Sequence, residues 1–189
     1  MKDIKKIISL PFYLSLCFLF ISITESKAQV KEMSAQDLTT ASTAVFYGKC
    51  SKKSCDWDGN HRIIYTYVTV VPEAYIKGNL GATVTIAVPG GQVGDIVYDV
   101  SDMPVFTEGE ETVAFVWTNP AGKNLVTGGY QGKMKIEKDS KTGKKMVQVS
   151  GVMDQADAQI KLPPGQAKKA EKMQLEDFVT KVKGYTKNN

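Results

Sequence analysis

One histidine, His61, and three cysteines in 189 residues leave little material for chemistry. A nucleophilic enzyme needs an activated serine, cysteine or lysine beside a base, and no Gly-x-Ser-x-Gly elbow is present for His61 to serve. A structural zinc site needs several Cys or His ligands at close spacing, and His61 stands alone. Phosphate-binding signatures are missing too. Gly90-Gly91 with Gly94 has neither the dinucleotide spacing nor the Lys-Ser/Thr that completes a P-loop, which leaves a permissive loop. Strong charge bias is also lacking: 24 Lys+Arg face 20 Asp+Glu, and without residues 1–28 the balance is 20 to 18. So even a balance argues against nucleic acid as the main partner. After the first apolar run no second one is long enough to cross a bilayer, so no membrane association is expected of the processed chain.

That first run is informative. Lys2, Lys5 and Lys6 precede apolar residues from Ile7 to Ile23, and Ser26-Lys27-Ala28 places small residues where a signal peptidase reads them. We therefore expect a signal peptide over 1–28, a mature chain from Gln29, and a secreted or periplasmic protein. An uncleaved anchor is the rival, and Pro11, Tyr13 and the serines of the run weigh against it. Cys17 lies mid-run with no small residue before it, which argues against acylation. A mature chain of this length suits one domain, burying about 70% of its unfolded surface. Its two cysteines, Cys50 and Cys55, are expected to close a disulfide across a short loop, worth about 2 kcal/mol; metal ligation is the rival.

The pattern along the chain is that of strands. Ile64-Tyr-Thr-Tyr-Val-Thr-Val-Val71 is dense in β-branched and aromatic residues, and Val84, Ile86 and Val88 alternate with Thr83, Thr85 and Ala87. We expect a short helix at 34–41 capped by Ser34, and a first strand at 43–49 with Val45 and Tyr47 on one side and Phe46 on the other. A polar segment at 50–60 should follow, then a long strand at 61–71 that bulges near Pro72 and resumes at Tyr75. Residues 83–88 form the next strand. Residues 90–103 read as a long loop with a brief strand at Ile96 to Val100, and 112–118 as a strand apolar on both faces. The segment 124–136 should break at Gly128-Gly129, and 133–137 should pair with 144–150 as a hairpin. Pro163-Pro164-Gly165 marks a linker, and Leu175, Phe178, Val179 and Val182 give a helix over 168–183 ending before Gly184. The domain division is 29–42 as an N-terminal segment, 43–152 as the barrel, and 153–189 as linker and helix.

Several blocks carry a resemblance. These are Tyr47-Gly-Lys49, Ile64 to Val70, Lys77-Gly78, Val84-Thr-Ile-Ala-Val-Pro-Gly-Gly91, Pro104-Val-Phe106 with Gly109-Glu110, Val113 to Trp117, and Gln131-Gly-Lys133. Over about residues 43–137 the chain resembles exported bacterial domains of unassigned function. More distantly it is similar to netrin-like modules and the N-terminal domain of tissue inhibitors of metalloproteinases. The resemblance implies a mainly β fold, a small five-stranded barrel of the oligonucleotide/oligosaccharide-binding type, with an added hairpin and a C-terminal amphipathic helix. Those inhibitors chelate the protease zinc through an N-terminal cysteine, and Gln29 stands where it would be, so only the barrel carries over.

Candidate sites follow from the residues. Asp56-Trp-Asp-Gly-Asn60 has the composition of a calcium loop but the wrong spacing, and a hairpin turn needs the same residues. Glu108, Glu110 and Glu111 read as a solvated turn, with acid/base chemistry as the alternative. Tyr65 and Tyr67 share one strand face, either filling the core or presenting a stacking surface. With Gly90, Gly91, Gly94 and Asp95 of the long loop they make the candidate binding set. No catalytic residue, metal or cofactor is assigned. The expected function is a non-enzymatic module contacting a protein or glycan partner. An inhibitor of an extracellular hydrolase and a hydrolase using residues 108–111 are the alternatives.

Overall fold

Ser34 opens the first helix as its sequence position suggests. In the computed structural model, which describes residues 32–149 and 171–187, the Ser34 hydroxyl accepts from the amide of Asp37 at 3.0 Å, and the Asp37 carboxylate accepts from the amide of Ser34 at 3.1 Å. This capping box satisfies two amides at the start of α1 (Ala35–Ala41). The expected signal peptide at 1–28 and the expected linker at 153–166 lie outside the described residues.

Among the described residues ten strands follow: β1 (Ala44–Trp57), β2 (Ile64–Lys77), β3 (Val84–Pro89), β4 (Gly91–Val93), β5 (Ile96–Tyr98), β6 (Glu111–Thr118), β7 (Asn124–Val126), β8 (Lys133–Lys138), β9 (Lys145–Val149) and β10 (Glu171–Gln174). The helix α2 (Leu175–Thr186) ends the fold. Strands run in the order β1-β2-β3-β7-β6, and β6 pairs back onto β1 from Ala44↔Val116 to Lys49↔Glu111. That pairing closes a five-stranded barrel. Its neighbours are antiparallel except β3 and β7, which run parallel through Ile86↔Asn124. Fold and sequence expectation agree on this OB-like barrel, on the β8–β9 hairpin and on a C-terminal helix.

Strand alternation divides the apolar residues between two cores. Phe46, Val68, Val70, Val84, Ile86, Val88, Ala114 and Val116 fill the barrel. Val45, Val113, Phe115, Met134, Ile136, Val147 and Val149 face outward and are covered by Ala35 and Leu38 of α1 and by Leu175, Phe178 and Val182 of α2. Phe178 meets Phe115 edge-on at 6.4 Å between ring centroids, a geometry worth about 0.5–1.5 kcal/mol beyond the area it buries. β6 is therefore buried on both faces as its unbroken apolar run requires.

The expected irregularity at Pro72 is present. The β1–β2 register slips between Tyr47 and Gly48, where Gly48 faces Pro72. A Cβ on Gly48 would lie 2.3 Å from the Val71 carbonyl oxygen, so the close approach requires glycine.

Three expectations are corrected. Residues 50–57 continue β1 rather than forming a loop, paired from Cys50↔Val70 to Trp57↔Ile64, because Lys, Ser and Asp are tolerated on a hairpin arm exposed to water. That extension separates Cys50 from Cys55. Five residues of strand span about 16 Å, whereas a disulfide needs Cα atoms within about 7 Å, and both thiols are free, Cys50 buried and Cys55 exposed. At the C-terminus, residues 171–174 pair with β9 instead of starting the helix, and Gly184 lies inside α2, whose cap is Lys187. Among the described residues no helix is long and apolar enough to cross a membrane.

Candidate functional site

Along β2, Ile64, Val68 and Val70 point into the barrel, so Tyr65, Tyr67 and Thr69 point out. The two tyrosines are half-buried, with ring centroids 6.1 Å apart and planes tilted by 39°. Their cross-strand neighbours are small or polar: Asp56 and Ser54 on β1, Pro89 and Ala87 on β3. The rings are thus partly covered, and Ala87 beside Tyr67 is buried. Above Tyr65 stands Lys123, its ammonium 3.8 Å from the ring centroid, close enough for cation–π attraction. Lys123 ends the β6–β7 turn and is fixed there by Asn119, whose side-chain oxygen accepts from the Lys123 amide at 2.8 Å.

At the end of the same strand the β1–β2 turn is built on Asp58. Its carboxylate accepts from the amides of Arg62 at 2.7 Å and Ile63 at 3.3 Å. Chiefly through the Arg62 amide, these bonds hold the carboxyl below its ordinary range. The turn also seats His61 against Trp57, with rings 5.8 Å apart.

Gly90 and Gly91 lie at the barrel mouth. Thr66 donates its hydroxyl to the Gly90 carbonyl at 2.8 Å, and a Cβ on Gly91 would sit 2.7 Å from that hydroxyl and 2.8 Å from the Cys55 sulfur. The glycines thus pack against the β1–β2 arm. Gly94 and Asp95 are the two turn residues of the β4–β5 hairpin, closed by Val93↔Ile96, with Gly94 at φ 58° in the first central position. Beside the hairpin, a cavity of about 180 Å³ opens between Thr66, Val68 and Val88 of the barrel and the segment 98–106. Its outer wall is strapped by two lysines: Lys53 donates to the Phe106 carbonyl at 2.7 Å and Lys133 to the Val105 carbonyl at 3.0 Å.

Comparison with protein-family models, curated proteins and solved structures finds no match. The functional reading therefore rests on the residues themselves.

The glutamates of the β6 approach are each engaged separately. Glu108 accepts from the Lys53 amide at 2.6 Å, Glu110 takes the Lys133 ammonium at 2.8 Å, and Glu111 takes Lys145 at 2.9 Å. Lys145 also reaches Glu73 at 2.7 Å, and these carboxylates, Glu73 first, raise its pKa. In those positions the three fasten loops and strand ends to one another. Burial pushes the Cys50 thiol up, away from the thiolate a nucleophile needs. Among the described residues no three His, Cys, Asp or Glu side chains converge as metal ligands.

Of the sequence candidates, Tyr65 and Tyr67 form one surface, Gly90 and Gly91 line the cavity, and Gly94 and Asp95 sit at the hairpin tip. Sequence reasoning missed Lys123, Lys53 and Lys133, whose roles depend on pairings between distant strands. The brief strand expected at Ile96 is present as β5, but its exposed apolar side chains Ile96, Val97 and Tyr98 were not among the candidate binding residues.

Proposed function

We propose that this protein is an exported, non-enzymatic binding module that engages a protein or glycan partner through the outer face of β2 and the Gly90–Met103 loop. The observation that carries the reading is the Tyr65–Tyr67 pair on the barrel exterior, beside Lys123. Two rings stepped along a strand, the first capped by the Lys123 ammonium, offer an extended chain an aromatic contact at Tyr67 beside a cation, and strand faces with adjoining loops are where barrels of this type take such ligands. The engagement of Glu108, Glu110 and Glu111 by structural partners supports binding over hydrolysis.

Capture of envelope polysaccharides and proteins on the immobilised mature chain tests this. Tyr65→Ala/Tyr67→Ala should weaken capture at least tenfold, since each stacked ring is worth about 1–3 kcal/mol. Unchanged capture by the double variant, with its fold intact by circular dichroism, would refute the assignment.

A further inference from the structure

From Gly78 to Gly122 the chain contains six carboxylates and no Lys, Arg or His. Three of them, Glu108, Glu110 and Glu111, are engaged as described above. Asp95, Asp99 and Asp102 are exposed and make no ion pair among the described residues. Between and beside these aspartates lies apolar surface: Ile96 is 54% exposed, Val97 67% and Val105 78%, with Tyr98 alongside. Apolar side chains that a fold leaves in water mark contact surfaces, and along β5 they alternate, Ile96 and Tyr98 on one face of the hairpin and Val97 with Asp95 and Asp99 on the other. Tyr98, Asp99 and Val105 line the 180 Å³ cavity floored by Val68, Val88 and Phe106.

Backbone geometry adds a direction. Because Val93↔Ile96 closes a two-residue hairpin loop, Ile96 and Tyr98 bond toward β4, and the amide and carbonyl of Val97 point to the outer edge of β5. No backbone partner meets them there among the described residues. A second copy of this chain is a poor occupant. Antiparallel self-pairing centred on Val97 would set Asp95 of each copy against Asp99 of the other, and like charges directly opposite destabilise a sheet.

We propose that the β5 edge and the barrel-mouth cavity dock an extended protein segment in which lysine or arginine flanks a short apolar run. Its backbone extends β5 at Val97, one apolar side chain enters the cavity, and its basic residues face Asp95, Asp99 and Asp102. The Lys53 and Lys133 straps keep the far wall in place, so the pocket is preformed. This rests on the binding-module reading and gives the loop half of that surface its partner chemistry.

The test is fluorescence anisotropy of the mature chain with a labelled peptide carrying Val-Leu-Val between lysine pairs, and with the same peptide bearing glutamates for lysines. The lysine peptide should bind saturably and more weakly at higher salt, and the glutamate peptide should not bind. Val97→Ser/Val105→Ser, both at exposed positions, should weaken binding about tenfold. Asp95→Asn/Asp99→Asn should weaken it about fivefold and flatten the salt dependence. Equal binding of the two peptides, no saturable binding, unchanged affinity in the hairpin variants, or a dimer that Val97→Ser/Val105→Ser dissolves would each overturn the proposal. If the tyrosine variant still loses its envelope partner while the peptide fails, the binding-module reading survives and the peptide inference alone falls.

Discussion

Replacing each cysteine singly distinguishes the observed strand geometry from a bridged loop. If Cys50 and Cys55 were bonded, Cys50→Ala and Cys55→Ala would remove the same cross-link. A loop of that length contributes about 2 kcal/mol by chain entropy, so the variants would lose roughly equal stability from that source. In the structure the two residues have nothing in common. Cys50 is fully buried in the barrel core with Val68, Val70 and Phe106, whereas Cys55 is exposed on the hairpin arm, 3.4 Å from the Thr66 hydroxyl. Cys50→Ala deletes one well-packed buried atom and should cost about 1 kcal/mol, comparable to losing a buried methylene. Cys55→Ala should cost less than about 0.5 kcal/mol, as surface substitutions do. Urea unfolding of residues 29–189 gives both values from the midpoints at constant slope, and thiol titration under denaturing conditions should count two free thiols. Equal losses in the two variants, a wild-type midpoint that falls on adding reductant, or a count of no thiols would refute the extended course of β1 through residue 55.

Gly48→Ala should destabilise by about 3 kcal/mol, because the new Cβ meets the Val71 carbonyl at the β1–β2 bulge; a midpoint close to wild type would show that the bulge can relax. Phe178→Ala should cost about 4 kcal/mol and loosen α2 from β6, read as faster amide exchange in α2 than in the barrel strands, whereas uniform exchange would contradict two separate cores. Asp58 carries a pH dependence of definite sign. Its folded-state pKa is depressed, so the stability it contributes is present above the ordinary carboxylate range and is lost as pH falls through the folded value. An NMR titration should find it ionised below the pH at which aspartates of the denatured chain protonate, and an ordinary titration would contradict the Arg62 and Ile63 amide bonds.

The strands that build the barrel were legible because alternation and β-branching act locally. Val84, Ile86 and Val88 could face inward only if residues 83–89 were extended, and Val113 to Val116 could be buried on both faces only in the middle of a sheet. The bulge at Pro72 followed from its missing amide. What failed was whatever depended on a partner elsewhere in the chain. Residues 50–57 are polar and read as loop, and they become strand because the arm of β2 supplies a ladder for them. Residues 171–174 are sound helix formers taken by the free edge of β9. The cysteine pair misled because a spacing that suits a loop disulfide is impossible once the same residues are extended. Tyr65 and Tyr67 were recognised as sharing a face, but whether that face was core or surface depended on which neighbouring side of the barrel the helices cover.

That choice of side ties fold to function. A five-stranded barrel exposes an outer face on every strand, and each apolar outer face must be covered or serve as a contact. Here α1 and α2 cover the side made by β6, β8, β9 and the start of β1, where the outward residues are Val45, Val113, Phe115, Met134 and Val147. Neither helix packs its core residues against the stretch of β2 bearing Tyr65 and Tyr67, where the neighbouring outward positions are Thr69, Thr85, Ser54 and Asp56 together with Ala87 and Pro89. A face with four polar outward positions can remain in water without a helix over it. Replacing both by threonine, which keeps strand propensity, should therefore leave the unfolding midpoint nearly unchanged while removing capture of the partner. A large loss of stability would instead make the pair a structural patch and transfer the binding role to the acidic hairpin alone.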